Sequence, residues 1–189
     1  MLLQPSAMAI SKIIFAVLLS FTGAQTPGHI PEKHPKLKTF KCAKSTGCQP
    51  LNTAVVLDSS AHPIHLINNT FLSCSGSDPT VCPDEKTCAE NCIIEGIQNY
   101  GAYGVRTKDE HLELDMLNPD GSTASPRIYL LAEDRKNYEM LKLTGNEFSF
   151  DVDVSKLPCG MNGALYLSEM EADGGRQPLN PGGATYGTG

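Results

Sequence analysis

Two clusters of carboxylates are the first residues whose type and spacing suit chemistry. Asp151 and Asp153 are separated by one residue, and Glu169, Glu171 and Asp173 form a second cluster further along the chain. Paired carboxylates serve as general acid and nucleophile in many hydrolytic reactions. The alternative for these clusters is a solvated sheet face or a strand that leaves the sheet. We favour these solvated roles over a catalytic one.

Cysteine is the second reactive residue type, and the chain has seven of them. Six are crowded into one short segment, where Cys88 and Cys92 have the spacing of half a zinc site. His62 and His65 are the histidines within this cysteine-rich segment, and both are far from that pair in sequence. Such a density in a secreted chain indicates disulfides. We therefore predict disulfides and no metal site.

A predicted helix restricts how these cysteines can pair. Pro83, Asp84 and Glu85 precede an Ala/Cys/Ile run and indicate a helix start. Cys88 and Cys92 then share a helical face, with Cβ atoms about 6 Å apart against roughly 3.8 Å across a disulfide. They cannot easily bond each other, so each reaches back along the chain. The predicted pairs are Cys82–Cys88, Cys74–Cys92 and Cys42–Cys48, and Cys159 remains unpaired.

The first 24 residues have the pattern of a secretory signal peptide. Lys12 is their only charge, Ile13–Phe21 is apolar, and Ala24 is a small residue suited to a cleavage site. The apolar run is too short for a bilayer, which needs about 20 residues. We expect cleavage after Ala24, secretion, and no membrane partner. Met1 and Met8 are both candidate initiators.

Composition narrows the class of protein further. The 189 residues carry a formal net charge of −6, and the basic residues are scattered. No basic stripe is present, so we expect no nucleic-acid partner. With 17 glycines and 13 prolines the chain must turn often, which favours many short strands over long helices.

Strand patterns dominate the second half of the sequence. The clearest is Phe148–Val154, where apolar and polar residues alternate with period two. Strands at this spacing, separated by turn signals, predict an antiparallel sandwich or barrel. Half a sandwich leaves unpaired strand edges, so we expect the fold to be incomplete. The other predicted strands are Leu112–Met116, Ile128–Leu131, Tyr138–Leu143 and Ala164–Leu167, and residues 174–189 are predicted to form a long loop.

Four segments occur in one order and spacing that resembles glycoside hydrolase family 7, the fungal cellobiohydrolases and endoglucanases. The segments are His34–Leu37, Cys82–Cys92, Asn146–Val154 and Leu157–Tyr166. The resemblance covers residues 25–189 and implies an N-terminal portion of the family's catalytic domain. It also implies an all-β fold, a concanavalin-like β-jelly roll of curved antiparallel sheets with a substrate groove on the concave face. We expect this jelly roll to be incomplete here and to carry one short disulfide-stapled helix.

The resemblance implies retaining hydrolysis of β-1,4-glucosidic bonds, with two carboxyl groups about 5–5.5 Å apart. In the family these groups lie in a Glu-x-Asp-x-x-Glu motif that follows the segment matching the end of this sequence. We therefore expect no catalytic residue before Gly189 and no hydrolysis by the isolated chain. The family also implies a later partner for Cys159, no cofactor, and a monomeric full-length protein.

Three residues match the family's substrate-contact positions, namely Arg127, Asn162 and Tyr166. The resemblance implies that they contact cellulose or another β-1,4-glucan. Their alternatives are a surface ion pair, a turn residue and a core aromatic, respectively. Many family members carry tryptophan platforms after the position of Asp58, whereas this chain has no tryptophan. That departure favours an endoglucanase-like relative over a processive cellobiohydrolase.

Two further expectations remain open at this point. Asn68 begins an Asn-Asn-Thr sequon and is a candidate glycosylation site. The function has two alternatives to a piece of an endoglucanase. One is a non-catalytic glucan-binding remnant, and the other is a small cysteine-rich secreted interaction protein.

Overall fold

The computed structural model describes residues 26–74 and 79–188, and the predicted signal peptide lies outside these ranges. The described chain is mostly short β-strands with one short α-helix. No helix within these ranges has the length and apolar character needed to cross a membrane. The strands are β1 Thr26–Pro27, β2 Thr39–Ala43, β3 Gly47–Leu51, β4 Ala54–Leu57, β5 Ile64–Leu66, β6 Asn69–Ser73, β7 Cys92–Ile94, β8 Val105–Lys108, β9 His111–Leu114 and β10 Ile128–Leu131, and the helix is α1 Glu85–Asn91. Short 3₁₀ turns cover Ser59–Ala61, Tyr100–Tyr103 and Gly183–Tyr186.

The strands form one four-stranded sheet and three two-stranded pairs. The larger sheet has the order β1-β7-β5-β6, and β4 pairs with β10. The hairpins β2–β3 and β8–β9 complete the set. The pairs are antiparallel, as expected, except for the two-residue pair β1–β7, which is parallel.

The core is built on β4, whose four residues Ala54–Leu57 are all buried. Side chains alternate across a strand, so this run faces two hydrophobic clusters at once. Val55 and Leu57 pack with Leu37, Ile97, Tyr100 and Val105. Ala54 and Val56 pack with Leu131, Tyr138 and Ala184. The strand therefore holds the middle of the fold, and its carboxyl end leads directly to Asp58.

The helix begins where the sequence predicts. Asp84 is its N-cap, and its carboxylate accepts hydrogen bonds from the Thr87 N–H at 2.9 Å and the Thr87 hydroxyl at 2.7 Å. Such a cap satisfies backbone donors that the first helical turn leaves unpaired. The helix ends at Asn91, and the chain continues directly into β7. The disulfides are Cys42–Cys48, Cys74–Cys92 and Cys82–Cys88, the same pairs that the sequence predicts.

Two buried carboxylates anchor the segment that follows β1. Glu32 accepts the Ile97 N–H at 2.7 Å and the Tyr100 hydroxyl at 2.5 Å, and its other contact is His62 Nε2 at 3.1 Å. Glu95 accepts the Ile30 N–H at 2.6 Å and contacts a second histidine, His65, at 3.1 Å. Buried charges are tolerated only when they are paired and hydrogen-bonded, and both carboxylates meet that condition.

The pKa of Glu95 follows from these contacts. Burial raises it, but hydrogen bonds from the Ile30 and His29 N–H groups and from His65 outweigh burial, so the pKa lies below its ordinary value. The carboxylate is therefore ionised at neutral pH, which suits its contacts with N–H donors.

Residues 139–172, which we call the arm, depart from the sequence prediction. The strands predicted at Tyr138–Leu143, Phe148–Val154 and Ala164–Leu167 are absent, since the described chain has no strand or helix between β10 and Gly183. A strand needs a hydrogen-bonding neighbour, and no backbone–backbone bond joins residues 148–153 to any described residue. The alternation alone therefore did not suffice to form a strand here, whereas β9 and β10 form where they are predicted because each has a partner.

The predicted loop near the end of the chain is present and is firmly anchored. The buried Asn180 side chain donates to the Gly174 carbonyl at 2.9 Å and accepts the Gly183 N–H at 3.0 Å. Gly187 has φ +67°, and its carbonyl accepts the Ser59 N–H at 3.0 Å. A Cβ at Gly187 would lie 2.0 Å from the Leu57 carbonyl oxygen, so only glycine allows this close approach to β4.

Candidate functional site

A cleft of about 460 Å³ opens beside the carboxyl end of β4. The 3₁₀ turns Ser59–Ala61 and Tyr100–Tyr103 form part of its wall, and residues 118–127 before β10 form the rest. Its polar and aromatic lining includes Asp58, Ser60, Tyr103, Asn118 and Arg127. The cleft thus combines hydrogen-bonding groups with an aromatic ring, as polar ligand sites commonly do.

Asp58 is the centre of the hydrogen bonds in this cleft. Its Oδ2 accepts hydrogen bonds from Arg127 Nε at 2.9 Å and from the Tyr129 hydroxyl at 2.7 Å, and it forms an ion pair with Arg127 Nη2 at 2.8 Å. Its Oδ1 accepts from the Ser60 N–H at 3.0 Å and the Ser60 hydroxyl at 2.5 Å. One nearly buried carboxylate therefore holds the side chains of Ser60, Arg127 and Tyr129. Ser60 follows β4, whereas Arg127 and Tyr129 lie at the start of β10.

These contacts decide the ionisation of the cluster. Burial raises the pKa of Asp58, but the hydrogen bonds from Ser60 and Tyr129 and the charge of Arg127 outweigh burial, so its pKa lies below the ordinary value. Burial and the adjacent Asp58 raise the pKa of Tyr129 to about 12. At neutral pH the carboxylate is therefore charged and the phenol is neutral.

Arg127 is the residue that presents this cluster to solvent. Its side chain is 69% exposed, against 11% for Asp58. Asp58 uses Nε and Nη2, and Nη1 makes no hydrogen bond to any residue in the described ranges, so it can donate to a ligand. Asp58 also neutralises the guanidinium charge. The pair is consequently better suited to a neutral hydroxylated ligand than to an anion.

The structure places the three predicted contact residues in two different regions. Arg127 lies in the cleft. Asn162 and Tyr166 lie on the arm, where both side chains are exposed, and neither lines the cleft. Tyr166 is 80% exposed, so the alternative of a core aromatic does not apply within the described residues.

Sequence reasoning missed Asp58, Ser60 and Tyr129. A local signal existed for the first two, because an Asp followed by Ser residues after an apolar run is typical of a capped turn. Tyr129 is two residues from Arg127 and therefore shares its face of the strand. Asp58 and Arg127 are 69 residues apart in the sequence, so no pattern of neighbouring residues predicts their contact.

The carboxylate clusters first noted in the sequence stabilise turns. Asp153 accepts the Ser155 N–H at 2.9 Å, and Asp173 accepts the Gly175 N–H at 3.1 Å. Asp151 is exposed. These are contacts of turn residues, and the expected sheet face or departing strand is wrong, because the described chain has no strand between β10 and Gly183.

Three cysteine sulfurs also lie close enough together to suggest a metal site. Cys74, Cys82 and Cys92 have sulfur atoms within 4.8 Å of one another. All three belong to the neighbouring disulfides Cys74–Cys92 and Cys82–Cys88. A metal ligand must be a thiolate, so their proximity is explained by two adjacent disulfides and does not fit zinc.

The two remaining predicted sites are both accessible. Asn68 is exposed in the turn between β5 and β6. Cys159 lies on the arm, where its thiol is free and exposed. Their positions are compatible with a surface modification and with a reactive thiol, respectively.

Comparison with known proteins gives consistent results. The sequence profile of Glycosyl hydrolase family 7 matches residues 27–189. The probable endo-beta-1,4-glucanase celB of Aspergillus clavatus is 54% identical over 178 residues, which are 91% of this chain and 42% of that protein. The chain therefore spans less than half the length of this curated relative.

Two solved structures have the same fold. The native endocellulase EGI of Humicola insolens superposes with a TM-score of 0.80 at 51% identity and covers 87% of this chain and 43% of that one. An endoglucanase I complexed with cellobiose gives a TM-score of 0.78 at 45% identity, covering 87% and 42% of the two chains. The expected all-β fold class is confirmed by these likenesses.

Proposed function

The chain belongs to glycosyl hydrolase family 7, and on that premise we propose that it forms part of the glucan-binding groove of a secreted retaining endo-β-1,4-glucanase. The observation that carries this proposal is the cleft in which Asp58 holds Arg127. The cleft presents a neutralised guanidinium and an aromatic ring, groups that suit the hydroxyls and flat faces of glucose units.

We assign the hydrolytic chemistry to residues that this sequence does not contain. Retaining hydrolysis needs a carboxylate nucleophile beside a carboxylic acid, about 5–5.5 Å apart. Among the described residues that line the cleft, Asp58 is the one carboxylate, and it already accepts hydrogen bonds from Arg127 and Tyr129. The role of Asp58 is therefore to position Arg127, and the chain alone is expected to bind glucan without cleaving it.

Asn162 and Tyr166 join the groove in the second part of this proposal. Both lie on the arm, which has no sheet partner among the described residues. Packing of the arm into a complete sandwich would bring an amide and a phenol to the same groove as Arg127. Their contribution to glucan binding is thus proposed only for the complete domain.

Secretion and domain limits form the third part. We propose residues 1–24 as the signal peptide and 25–189 as the N-terminal portion of the catalytic domain. The three disulfides support an oxidising compartment, because such bonds are rare in the cytosol. The exposed sequon at Asn68 is proposed as a glycosylation site of the secreted protein.

We favour an endoglucanase over a cellobiohydrolase. The relative from A. clavatus, 54% identical, is named an endoglucanase. The segment after Asp58 also buries His62 and His65 in pairs with Glu32 and Glu95, where a tryptophan platform would need to face the groove. This segment therefore contributes no such platform for a processive chain.

Calorimetric titration of the purified mature chain with cellotetraose tests the binding role. We expect Arg127→Ala to weaken the affinity at least about tenfold, because it removes a charge-assisted donor. Arg106→Ala is the matched control, since Arg106 pairs with Glu113 and Asp115 on the β8–β9 hairpin outside the cleft. Equal affinities of the two variants would refute the assignment of Arg127.

A glucan-binding protein without hydrolytic activity is the second candidate. It is favoured by one observation, that Asp58, Ser60, Arg127 and Tyr129 all belong to this chain, so the cleft exists without further residues. The transcript sequence after the Gly189 codon separates the two candidates. A continuing frame with Glu-x-Asp-x-x-Glu supports the endoglucanase, whereas an immediate stop codon supports the binding protein.

A further inference from the structure

Two buried histidines, His62 and His65, face an oxygen acceptor at each ring nitrogen. His65 Nδ1 lies 3.1 Å from the Leu66 carbonyl oxygen, and its Nε2 lies 3.1 Å from Glu95 Oε1. A carbonyl oxygen and an ionised carboxylate have no proton to donate, whereas a neutral imidazole has one N–H. The His65 ring therefore satisfies both contacts only when both of its nitrogens carry a proton.

The ionisation of Glu95 makes this requirement strict. Its Oε2 accepts the Ile30 N–H at 2.6 Å, and the His29 N–H also donates to the carboxylate. Burial raises the pKa of Glu95, but these two N–H groups and His65 outweigh burial, so the carboxylate is ionised at neutral pH. A neutral His65 ring would direct a lone pair at this buried anion, which is a costly arrangement inside a protein.

The second pair has the same geometry at a deeper position. His62 Nδ1 lies 3.3 Å from the Asp58 carbonyl oxygen, and its Nε2 lies 3.1 Å from Glu32 Oε2. The two side chains are 0% and 2% exposed. Glu32 also accepts the Ile97 N–H and the Tyr100 hydroxyl. Three donors around one carboxylate indicate its ionised form, so His62 must also donate from both nitrogens.

Both pairs fasten residues 28–33 to the four-stranded sheet. Glu32 lies within this segment, and Glu95, which follows β7, holds the Ile30 N–H. Their histidine partners lie in β5 or just before it. The segment also forms backbone hydrogen bonds with residues 94–97, so both pairs strengthen the same contact between the segment and the sheet.

We propose that the Glu32–His62 and Glu95–His65 pairs form a pH-sensitive clamp on residues 28–33. In the closed clamp each histidine is an imidazolium that donates to a backbone carbonyl and to its carboxylate. In alkaline solution each ring releases one proton to solvent, which leaves a buried carboxylate beside a lone pair. The clamp therefore holds the segment in acidic and neutral solution and loosens it as pH rises. This inference depends on these contacts and not on glucan binding.

The direction of the pH effect follows from the number of protons bound in each state. A histidine in the unfolded chain loses its second proton at about pH 6.5. The folded clamp retains that proton, so above this pH the folded chain binds more protons than the unfolded chain and stability falls as pH rises. The equilibrium constant for unfolding grows about tenfold for each pH unit over which one such proton is retained.

The neighbouring acids do not reproduce this effect. Burial raises the pKa of Tyr100 and of Tyr186, whose ring lies 5.8 Å from that of His62, so both phenols stay neutral beyond the ordinary range. Asp58 faces His62 with its backbone carbonyl. Burial raises the pKa of its carboxyl group, but hydrogen bonds from Ser60 and Tyr129 lower it further, so this group is ionised well below neutral pH.

The neighbouring bases do not reproduce it either. His34 lies close enough to Glu32, His62 and Arg135 to feel their charges, and burial lowers its pKa. Its Nε2 lies 2.8 Å from the Thr185 carbonyl oxygen, to which a neutral ring can donate. A lowered histidine pKa makes stability fall as pH falls, which is opposite in sign to the effect of the clamp. Arg135 keeps its charge throughout this range.

Nitrogen NMR of the purified chain tests the protonation that the clamp requires. The chain is labelled with ¹⁵N-histidine, and its disulfides are kept intact. We expect His62 and His65 each to carry a proton on both ring nitrogens at pH 7, and the internal control His34 to carry one on Nε2 alone. A single protonated nitrogen on either His62 or His65 would overturn the proposal without any variant.

Glu95→Gln is the matched variant, because its amide can keep the hydrogen bonds of the site with a neutral His65. The amide oxygen would accept the Ile30 N–H, and the amide nitrogen would donate to His65 Nε2. Between pH 6 and pH 9 we expect the unfolding constant of the native chain to rise at least about tenfold more than that of Glu95→Gln. Glu90→Gln, an exposed control on α1, should keep the native pH dependence.

Equal pH dependence of the native chain and Glu95→Gln would refute the clamp. If Glu95→Gln does not fold, the nitrogen signals of the native chain decide the outcome.

Hydrogen exchange locates the effect within the chain. Deuterium uptake of peptides covering residues 28–33 and β4 is compared at pH 6 and pH 9, with exchange times scaled for the intrinsic rates. We expect the protection of residues 28–33 to fall at least about tenfold more than that of β4, because the clamp acts on this segment. An equal loss in both segments would assign the pH effect to global unfolding and contradict a local clamp.

Discussion

Replacing Asp58 by Asn tests the organisation of the cleft. The substitution keeps the shape of the side chain but removes its charge and one acceptor. In the native protein the carboxylate accepts from Ser60, Tyr129 and Arg127. The amide nitrogen of the variant would face donors, so at least one of these bonds is lost and the others weaken.

The size of the effect follows from the exposure of each partner. A hydrogen bond to a charged group contributes about 1.5–3 kcal/mol and a neutral one about 0.5–1.5 kcal/mol, so the bonds from Ser60 and Tyr129 together lose about 2 kcal/mol. Arg127 is 69% exposed, and solvent screening limits its share to a few tenths of a kcal/mol, at the low end for surface pairs. A loss of about 2–3 kcal/mol in a domain of this size lowers Tm by about 4–12 °C.

Thermal melts of the native chain, Asp58→Asn and a control variant measure this loss. Asp120→Asn is the control, because Asp120 accepts the Ser122 N–H at 2.9 Å and hydroxyl at 2.6 Å but is exposed and forms no ion pair with an arginine in the described part of the chain. We expect less than about 0.5 kcal/mol for Asp120→Asn, as for most surface substitutions. In cellotetraose titrations we expect Asp58→Asn to lower the affinity, since Arg127 is no longer held.

The dependence on pH gives the refutation. The pKa of Asp58 is lowered in the folded protein, so its stabilisation is present above the ordinary pKa of about 3.9 and is lost as pH falls through the folded value. The difference in stability between the native chain and Asp58→Asn must therefore narrow below about pH 4. The reasoning would be refuted if Asp58→Asn lost the same free energy of unfolding at pH 3 as at pH 7. It would also be refuted if that loss were no larger than the loss for Asp120→Asn.

Three further predictions concern the rest of the chain. Glu32→Ala leaves the Ile97 N–H, the Tyr100 hydroxyl and His62 Nε2 without their partner, and should cost about 3–5 kcal/mol in urea unfolding because each unsatisfied buried group costs about 1–3 kcal/mol. The exposed Glu90→Ala should cost under about 0.5 kcal/mol. Gly187→Ala meets the Leu57 carbonyl at a positive φ and should lower stability by more than about 2 kcal/mol in the same assay; a neutral result would contradict the close packing of the loop on β4. Thiol titration of the unreduced monomer should give one thiol and Cys159→Ser none, and a native value of zero would show that Cys159 is not free.

Local features of the fold were predictable from the sequence. The Asp84 cap, the disulfide pairs and β10 depend on contacts between residues near in sequence or on strong local patterns. The strand predicted at Phe148–Val154 did not form, because a strand also requires a neighbour that a local pattern does not supply. The parallel β1–β7 pair was likewise beyond local reasoning, since it joins Thr26 to Ile93.

The cleft was predictable only in part. Arg127 was identified through its resemblance to a family position, but its partner Asp58 was not, because the two are joined only by the pairing of β4 with β10. The buried Glu32–His62 and Glu95–His65 pairs were missed for the same reason. In each pair the sequence shows the residue types. The burial of the side chains and the identity of their partners depend on tertiary contacts, which the sequence pattern does not show.

Hydrolysis of carboxymethylcellulose tests the central claim most directly. The claim is that this chain supplies a glucan-binding wall and that the reacting carboxylates lie outside it. The purified chain is compared with its fusion to the remaining part of H. insolens EGI, each with and without Arg127→Ala. We predict no hydrolysis by the chain, hydrolysis by the fusion, and a kcat/KM at least about tenfold lower for the Arg127→Ala fusion. Hydrolysis by the chain alone, or an Arg127→Ala fusion as active as its parent, would contradict the account.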